Sequence, residues 1–200
     1  MGFKIHPNGG GLVAETAVVS ATAYVGEYCV VYDNAQVLEN ASLRDKVRVS
    51  DNALVSGKVS ISGNAQISGR AIITGVALVF GNATVCEEAV VSGDDYAYPQ
   101  VYGDAHISGN AKVRNEAQVF GNARVYGKST VSDTAQIYGN AHVFEDADVL
   151  GSAEVFGNAK VLGSSRVYER MQVCGNTLLD ERRYLDCLPH ERSFEELSPE

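Results

Sequence analysis

The chain has 200 residues, a formal net charge of −9 and a pI near 4.9, with 45% hydrophobic residues, 20 Gly, 4 Pro and no Trp. That hydrophobic content supports a core and excludes a disordered acidic chain. The acidic balance argues against broad nucleic-acid binding by phosphate neutralisation. It fits ordinary solubility, and it permits a basic or cationic protein partner.

The first residues, "MGFKIHPNGGG", form an N-terminal block over 1–12 without the long apolar core of a signal peptide. A cytoplasmic location is therefore expected. No apolar run approaches the length of a membrane span, so no membrane partner is expected either. Phe3 and Ile5 are candidate apolar plugs over the start of whatever follows.

From Val13 an aliphatic residue recurs every sixth position through Val19, Val25, Val31, Val37, Leu43, Val49 and onward to Val91. The series resumes at Val101 and runs to Val173 and Leu179. A period of six is compatible with strand alternation and not with helical periodicity. Calling the aliphatic residue position one, position five is almost always small, as at Ala17, Ala35 and Ala65, with Val47 and Val59 as larger exceptions. Positions five and one lie on one side of a strand, and positions six and two on the other. Positions three and four are often Gly-Asn or Gly-Asp, as in Gly81-Asn82 and Gly103-Asp104, which are turn residues. Each hexad is thus a short strand plus a corner, and stacked hexads bury a continuous Val and Ala core over 13–179.

The register breaks once. Val91 and Val101 are ten apart, four more than a hexad, across "SGDDYAYPQ" from Ser92 to Gln100. This segment is either an inert corner insertion or a contact loop. Tyr96 and Tyr98 beside Asp94 and Asp95 favour contact.

After Leu179 the repeat gives way to a 180–200 segment, "DERRYLDCLPHERSFEELSPE" counted from Asp180. Asp180 is an N-cap candidate, and Pro189 ends any helix. A short helix over about 181–188 would lay Leu185 and Leu188 on the last coil as a cap. The alternative is a partner-binding tail. The four cysteines, Cys29, Cys86, Cys174 and Cys187, show no CxxC spacing, so reduced thiols are expected rather than a disulfide framework or zinc site.

The hexads from Val13 to Leu179 resemble the hexapeptide-repeat family. The resemblance implies an all-β fold, a left-handed parallel β-helix of about nine triangular coils. Three hexads make one coil, so residues eighteen apart stack. The family favours Gly, Ala, Glu or Asp at position two; here position two is often aromatic and Gly falls at position three. That variant looks more like repetitive V-x-G-N-A-x proteins of bacteria and prophages, many labelled transferases without demonstrated activity.

With the 92–100 segment treated as a corner insertion, Val79 stacks on Val101. One outward column then reads Phe80, Tyr102, Phe120, Tyr138, Phe156, ending at Cys174. Aromatics at about 4.8 Å spacing on one face predict a homo-oligomer interface. The resemblance implies a trimer. A nucleobase-stacking platform is the alternative, and the acidic balance speaks against it.

The next face carries His106, Arg124, His142 and Lys160 at position six, with Ser108, Tyr126, Phe144 and Leu162 beside them. This column is either a solvated face or a receiver for a carboxylate or phosphate. His106 and His142 are two coils apart, about 9.6 Å, so they cannot share a metal, and no metal site is expected.

Two functional classes stand. The first is a non-enzymatic, rigid, homo-oligomeric rod that binds a protein. By analogy with phage settings that partner is a host or defence protein, and no cofactor is needed. An acidic rod mimicking DNA is a narrower form, weakened because the acidic residues do not fall in columns. The second, implied by the resemblance, is a coenzyme-A-dependent acyltransferase using acetyl-CoA. His106 would be its general base, and the loop with Tyr96 and Tyr98 would lie at the acceptor site between subunits. No Ser-His-Asp order, phosphate-cradling loop or specific carboxylate pair accompanies it.

Overall fold

The computed structural model describes residues 2–180. Every hexad forms a strand of two to four residues, from Val18–Val19 to Leu178–Asp180, and no helix occurs among the described residues. The strands assemble into three sheets of eleven, nine and nine strands, within which all consecutive coils pair in parallel. The product is a three-sided β-solenoid of about nine turns. We number its faces in chain order: the first contains Leu12–Ala14 and His106–Ile107, the second Val18–Val19 and Lys112–Arg114, and the third Tyr24–Val25 and Gln118–Val119.

Alternation explains the core. Position-one residues from Val25 to Val161 and position-five alanines such as Ala35, Ala105 and Ala141 have no exposed surface. Each fully buried Val or Ile contributes about 1.5–3 kcal/mol relative to exposure. Val47 and Val59, the larger position-five residues, also fit inside. Ser129 replaces an alanine there, and its hydroxyl donates to the Tyr126 carbonyl at 2.9 Å, which satisfies it within the core.

The corners need a left-handed backbone at position three. Glycine fills many of them, including Gly63, Gly103 and Gly121, with φ between 70° and 73°. The others are mainly acidic: Asp33, Asp45, Asp51, Glu87, Asp133 and Glu145 have φ between 52° and 61°. A left-handed conformation costs a non-glycine residue about 1–2 kcal/mol. Here each carboxylate accepts the backbone N–H of the corner one coil further on. Asp45 reaches Gly63, Asp51 reaches Gly69, Glu87 reaches Gly109, Asp133 reaches Gly151 and Glu145 reaches Gly163, at 2.6–2.9 Å. Asp33 does the same to Asp51 at 3.2 Å. Hydrogen bonds to a charged acceptor are worth about 1.5–3 kcal/mol, enough to offset the strain. Much of the acidic balance is therefore committed to the corners.

The corner between the third and first faces carries a second device. Asn64 donates to Asn82 and Asn82 to Asp104, then Asn122 to Asn140, Asn140 to Asn158 and Asn158 to Asn176, at 2.8–3.0 Å. Position four thus forms an amide ladder along the solenoid axis.

The insertion leaves the stack intact. Leu78 pairs with Gln100, Val79 with Val101 and Val91 with Val113, so the offset of 22 absorbs the added residues. Ser92 still belongs to the strand Val90–Ser92 and Gln100 opens the strand Gln100–Val101, so the excursion is narrower than 92–100 and spans 93–99. Ladder pairing on both sides draws its ends back into the sheets. The loop is a small turn in which Asp94 and Ala97 exchange backbone hydrogen bonds, and Lys58 lies 3.5 Å from Asp95.

At the start of the chain, strand β1 (Phe3–Ile5) pairs antiparallel with strand β2 (Leu12–Ala14), covering the free edge of the first face. Phe3 and Ile5 are not plugs: they are 42% and 71% exposed. β1 lies outside the first full coil, with no core beneath it, so its side chains face solvent. Phe3 instead meets the edge of Tyr32, at 5.9 Å. The covering side chain is His6, 5% exposed, whose Nε2 lies 3.0 Å from the Ala23 carbonyl. The helix expected over 181–188, with Leu185 and Leu188, lies outside the described residues.

Candidate functional site

The two outward columns stand on different faces. On the third face, Phe80, Tyr102, Phe120, Tyr138 and Phe156 stack with centroids 4.7–5.0 Å apart and planes within 6° of parallel. The spacing is that of the strands, so the ladder itself brings the rings into register. Each ring covers its neighbour's face, and all five are half-buried. Ring edges, not ring faces, point outward. This disfavours a base-stacking platform, which needs open faces. Tyr138 Oη donates to Glu154 at 3.1 Å, and burial, followed by that carboxylate, raises its pKa.

Gln100, Gln118, Gln136 and Glu154 run beside the rings at position six. Tyr98 joins them, lining with Gln100, Glu116, Gln118, Thr134 and Gln136 a shallow trough of about 310 Å³. The trough explains how a corner loop can extend a flat face. Tyr96, at 88% exposure, stands away from it.

On the first face, His106 pairs with Arg124, Arg124 with His142 and His142 with Lys160. Tyr126 stacks on Phe144 at 4.8 Å, and His142 meets Tyr126 edge-on at 6.2 Å. His106 Nε2 lies 3.8 Å from Cys86 Sγ. Burial and then Arg124 lower the His106 pKa, partly opposed by Glu87. Burial lowers that of His142, with Arg124 and Lys160 adding to it. Burial raises the Cys86 thiol, with Glu87 adding to it, which favours the neutral thiol. A cleft of about 360 Å³ lies over Asp104, His106, Asn122 and Arg124.

The structure therefore joins Arg124, His142 and Lys160 in one column, and it does not bring Tyr96 or Tyr98 to His106 within one chain. Their loop leaves the corner between the second and third faces, and the third face stands between it and His106. Sequence reasoning missed the Cys86–His106 contact. The insertion hides it, because it places the two on adjacent coils in a chain whose usual offset is eighteen. Among the described residues, no group of three or more His, Cys, Asp or Glu side chains is placed to hold a metal ion. No described helix is long and apolar enough to cross a membrane.

A family model described as a YdcK β-solenoid repeat matches residues 117–133, which include Phe120, Arg124 and Tyr126. The match covers about one coil and agrees with the β-helix repeat seen throughout. No curated protein matches the chain.

Proposed function

We propose that the protein is a rigid homo-oligomeric β-solenoid of the hexapeptide-repeat kind, a trimer that acts in the cytoplasm as a protein-binding module. A host or defence protein is the proposed partner class. The observation that carries this reading is the five-ring column from Phe80 to Phe156 on a flat face. Ring edges and amide groups in straight rows suit packing against a second flat sheet about 10 Å away. Rows of this kind also suit a repeated, symmetric contact.

Light scattering on size-fractionated protein tests it. The native chain is expected at a multiple of 21.3 kDa, and the Phe120→Asp/Tyr138→Asp variant at a single chain mass. Both side chains point outward, so circular dichroism should remain unchanged. A variant that keeps the native oligomer mass overturns the interface.

The second reading, an acetyl-CoA-dependent acyltransferase, draws on His106. Its lowered pKa favours the neutral imidazole that a general base needs, and it lines a cleft. Millimolar acetyl-CoA is then expected to raise the melting temperature. His106→Ala should abolish acyl transfer while leaving the fold intact. No thermal shift with the native protein removes this reading.

A further inference from the structure

The first face contains an internal duplication, of which the acyltransferase reading uses only His106. Residues 104–139 and 140–175 repeat one another. Ala105-His106 matches Ala141-His142, and Gly121-Asn122-Ala123-Arg124-Val125 matches Gly157-Asn158-Ala159-Lys160-Val161. His106 and His142 are 36 residues apart (142 − 106), as are Arg124 and Lys160 (160 − 124). The ladder converts that sequence repeat into a spatial one. In each copy an imidazole lies one strand spacing from a fixed cation, and the copies are offset by two spacings, about 9.6 Å.

We infer that His106 with Arg124, and His142 with Lys160, are two tandem oxyanion half-sites that together bind a ligand carrying several phosphate groups along its length.

Three observations support it. First, Arg124 and Lys160 lie in none of the three ion pairs found among the described residues, which join Lys58 to Asp95, Arg70 to Glu88 and Arg166 to Asp148. In a chain of net charge −9, a run of four basic-capable side chains without an intervening carboxylate stands out. Second, the nearby carboxylates are already engaged. Glu87 accepts the Gly109 N–H at 2.6 Å, Glu145 accepts the Gly163 N–H at 2.9 Å, and Asp104 accepts from Asn82 at 2.8 Å. Third, the flanking columns do not compete for the cations. The side-chain oxygens of Asn140, Asn158 and Asn176 accept within their own ladder, and Tyr126 with Phe144 forms an apolar wall beside Arg124 and His142.

The groups facing His142 are Arg124, Lys160 and the ring of Tyr126; those facing His106 are Arg124, Glu87, the Cys86 thiol and, in the shared cleft, Asp104. Burial and cationic neighbours keep both imidazoles neutral near pH 7. A phosphate placed over them favours the protonated form, so binding takes up protons and tightens as the pH falls. The inference does not rest on self-association, since the aromatic column lies on another face.

The test is calorimetric titration at constant ionic strength with long-chain inorganic polyphosphate and with orthophosphate. Polyphosphate is expected to bind on the order of 100-fold more tightly, because the second half-site is engaged intramolecularly. Arg124→Gln/Lys160→Gln should weaken polyphosphate binding by on the order of 10-fold or more. Lys112→Gln/Lys128→Gln, on the second face and its corner, should leave it unchanged. Affinity should rise from pH 8 to pH 6 in the native protein, and His106→Asn/His142→Asn should remove that dependence. Repeating the titration on Phe120→Asp/Tyr138→Asp separates this site from the oligomer contact. The inference is overturned if polyphosphate does not bind, if the second-face variant loses as much affinity as Arg124→Gln/Lys160→Gln, or if the native affinity does not change with pH.

Discussion

Two corners of the solenoid solve one backbone problem differently. Between the third and first faces, every corner from Gly63 to Gly175 is a glycine with positive φ, and the next residue joins the Asn ladder. Between the first and second faces, glycines are interspersed with Asp33, Asp51, Glu87 and Glu145, whose carboxylates reach the following coil. The first corner avoids backbone strain and ties coils through side-chain amides. The second accepts strain and recovers it through a charged hydrogen bond to the backbone. The same conformation can therefore be encoded by residues that look unrelated in sequence.

The comparison can be broken most severely at a glycine. Gly63→Val adds a β-branched side chain at φ 73°, with its Cβ only 2.5 Å from the Gly81 carbonyl oxygen. We expect a loss of about 3 kcal/mol in urea unfolding. At the other corner, Glu87→Ala keeps the left-handed strain and removes the acceptor for Gly109, for an expected loss of about 2 kcal/mol. Glu87→Gly relieves the strain and should cost only about half as much. Equal losses for the two substitutions would show that the carboxylate does not offset strain.

Asn140→Ala removes one donor and one acceptor from the ladder, and about 1 kcal/mol is expected. The smallest effect should come from pH. The folded state lowers the pKa of both His106 and His142, so the unfolded chain binds more protons below its histidine pKa, near 6.5. Stability is therefore fully present above that value and falls as the pH drops toward 5. Unfolding midpoints of His106→Gln/His142→Gln should vary less over that range than those of the native protein.

The buried half of the molecule was legible in the sequence because position one slips only once, between Val91 and Val101. Val79 over Val101 and the members of both outward columns followed from that count only together with the three-hexad coil that the family resemblance implies, with the loop set aside as a corner insertion. The acidic corners were not legible. Asp51 and Gly69, or Glu87 and Gly109, become partners only once coils stack, and a carboxylate at position three resembles a solvated surface charge. Phe3 and Ile5 misled because apolar character says nothing about whether a core lies beneath a strand. The contact between Cys86 and His106 needed the one irregular offset in the chain.

A stack with a constant offset of eighteen below the loop can be shortened without redesign. Excising residues 119–136 would bring Gln118 directly before Ile137, one hexad position before the residue that replaces Val119. Every lower coil would keep its neighbours and shift toward the start by a single layer, about 4.8 Å. Length is thus a digital property of this solenoid, adjustable one layer at a time, and this excision deletes Phe120 and Tyr126 from the two ring stacks and Arg124 from the basic column.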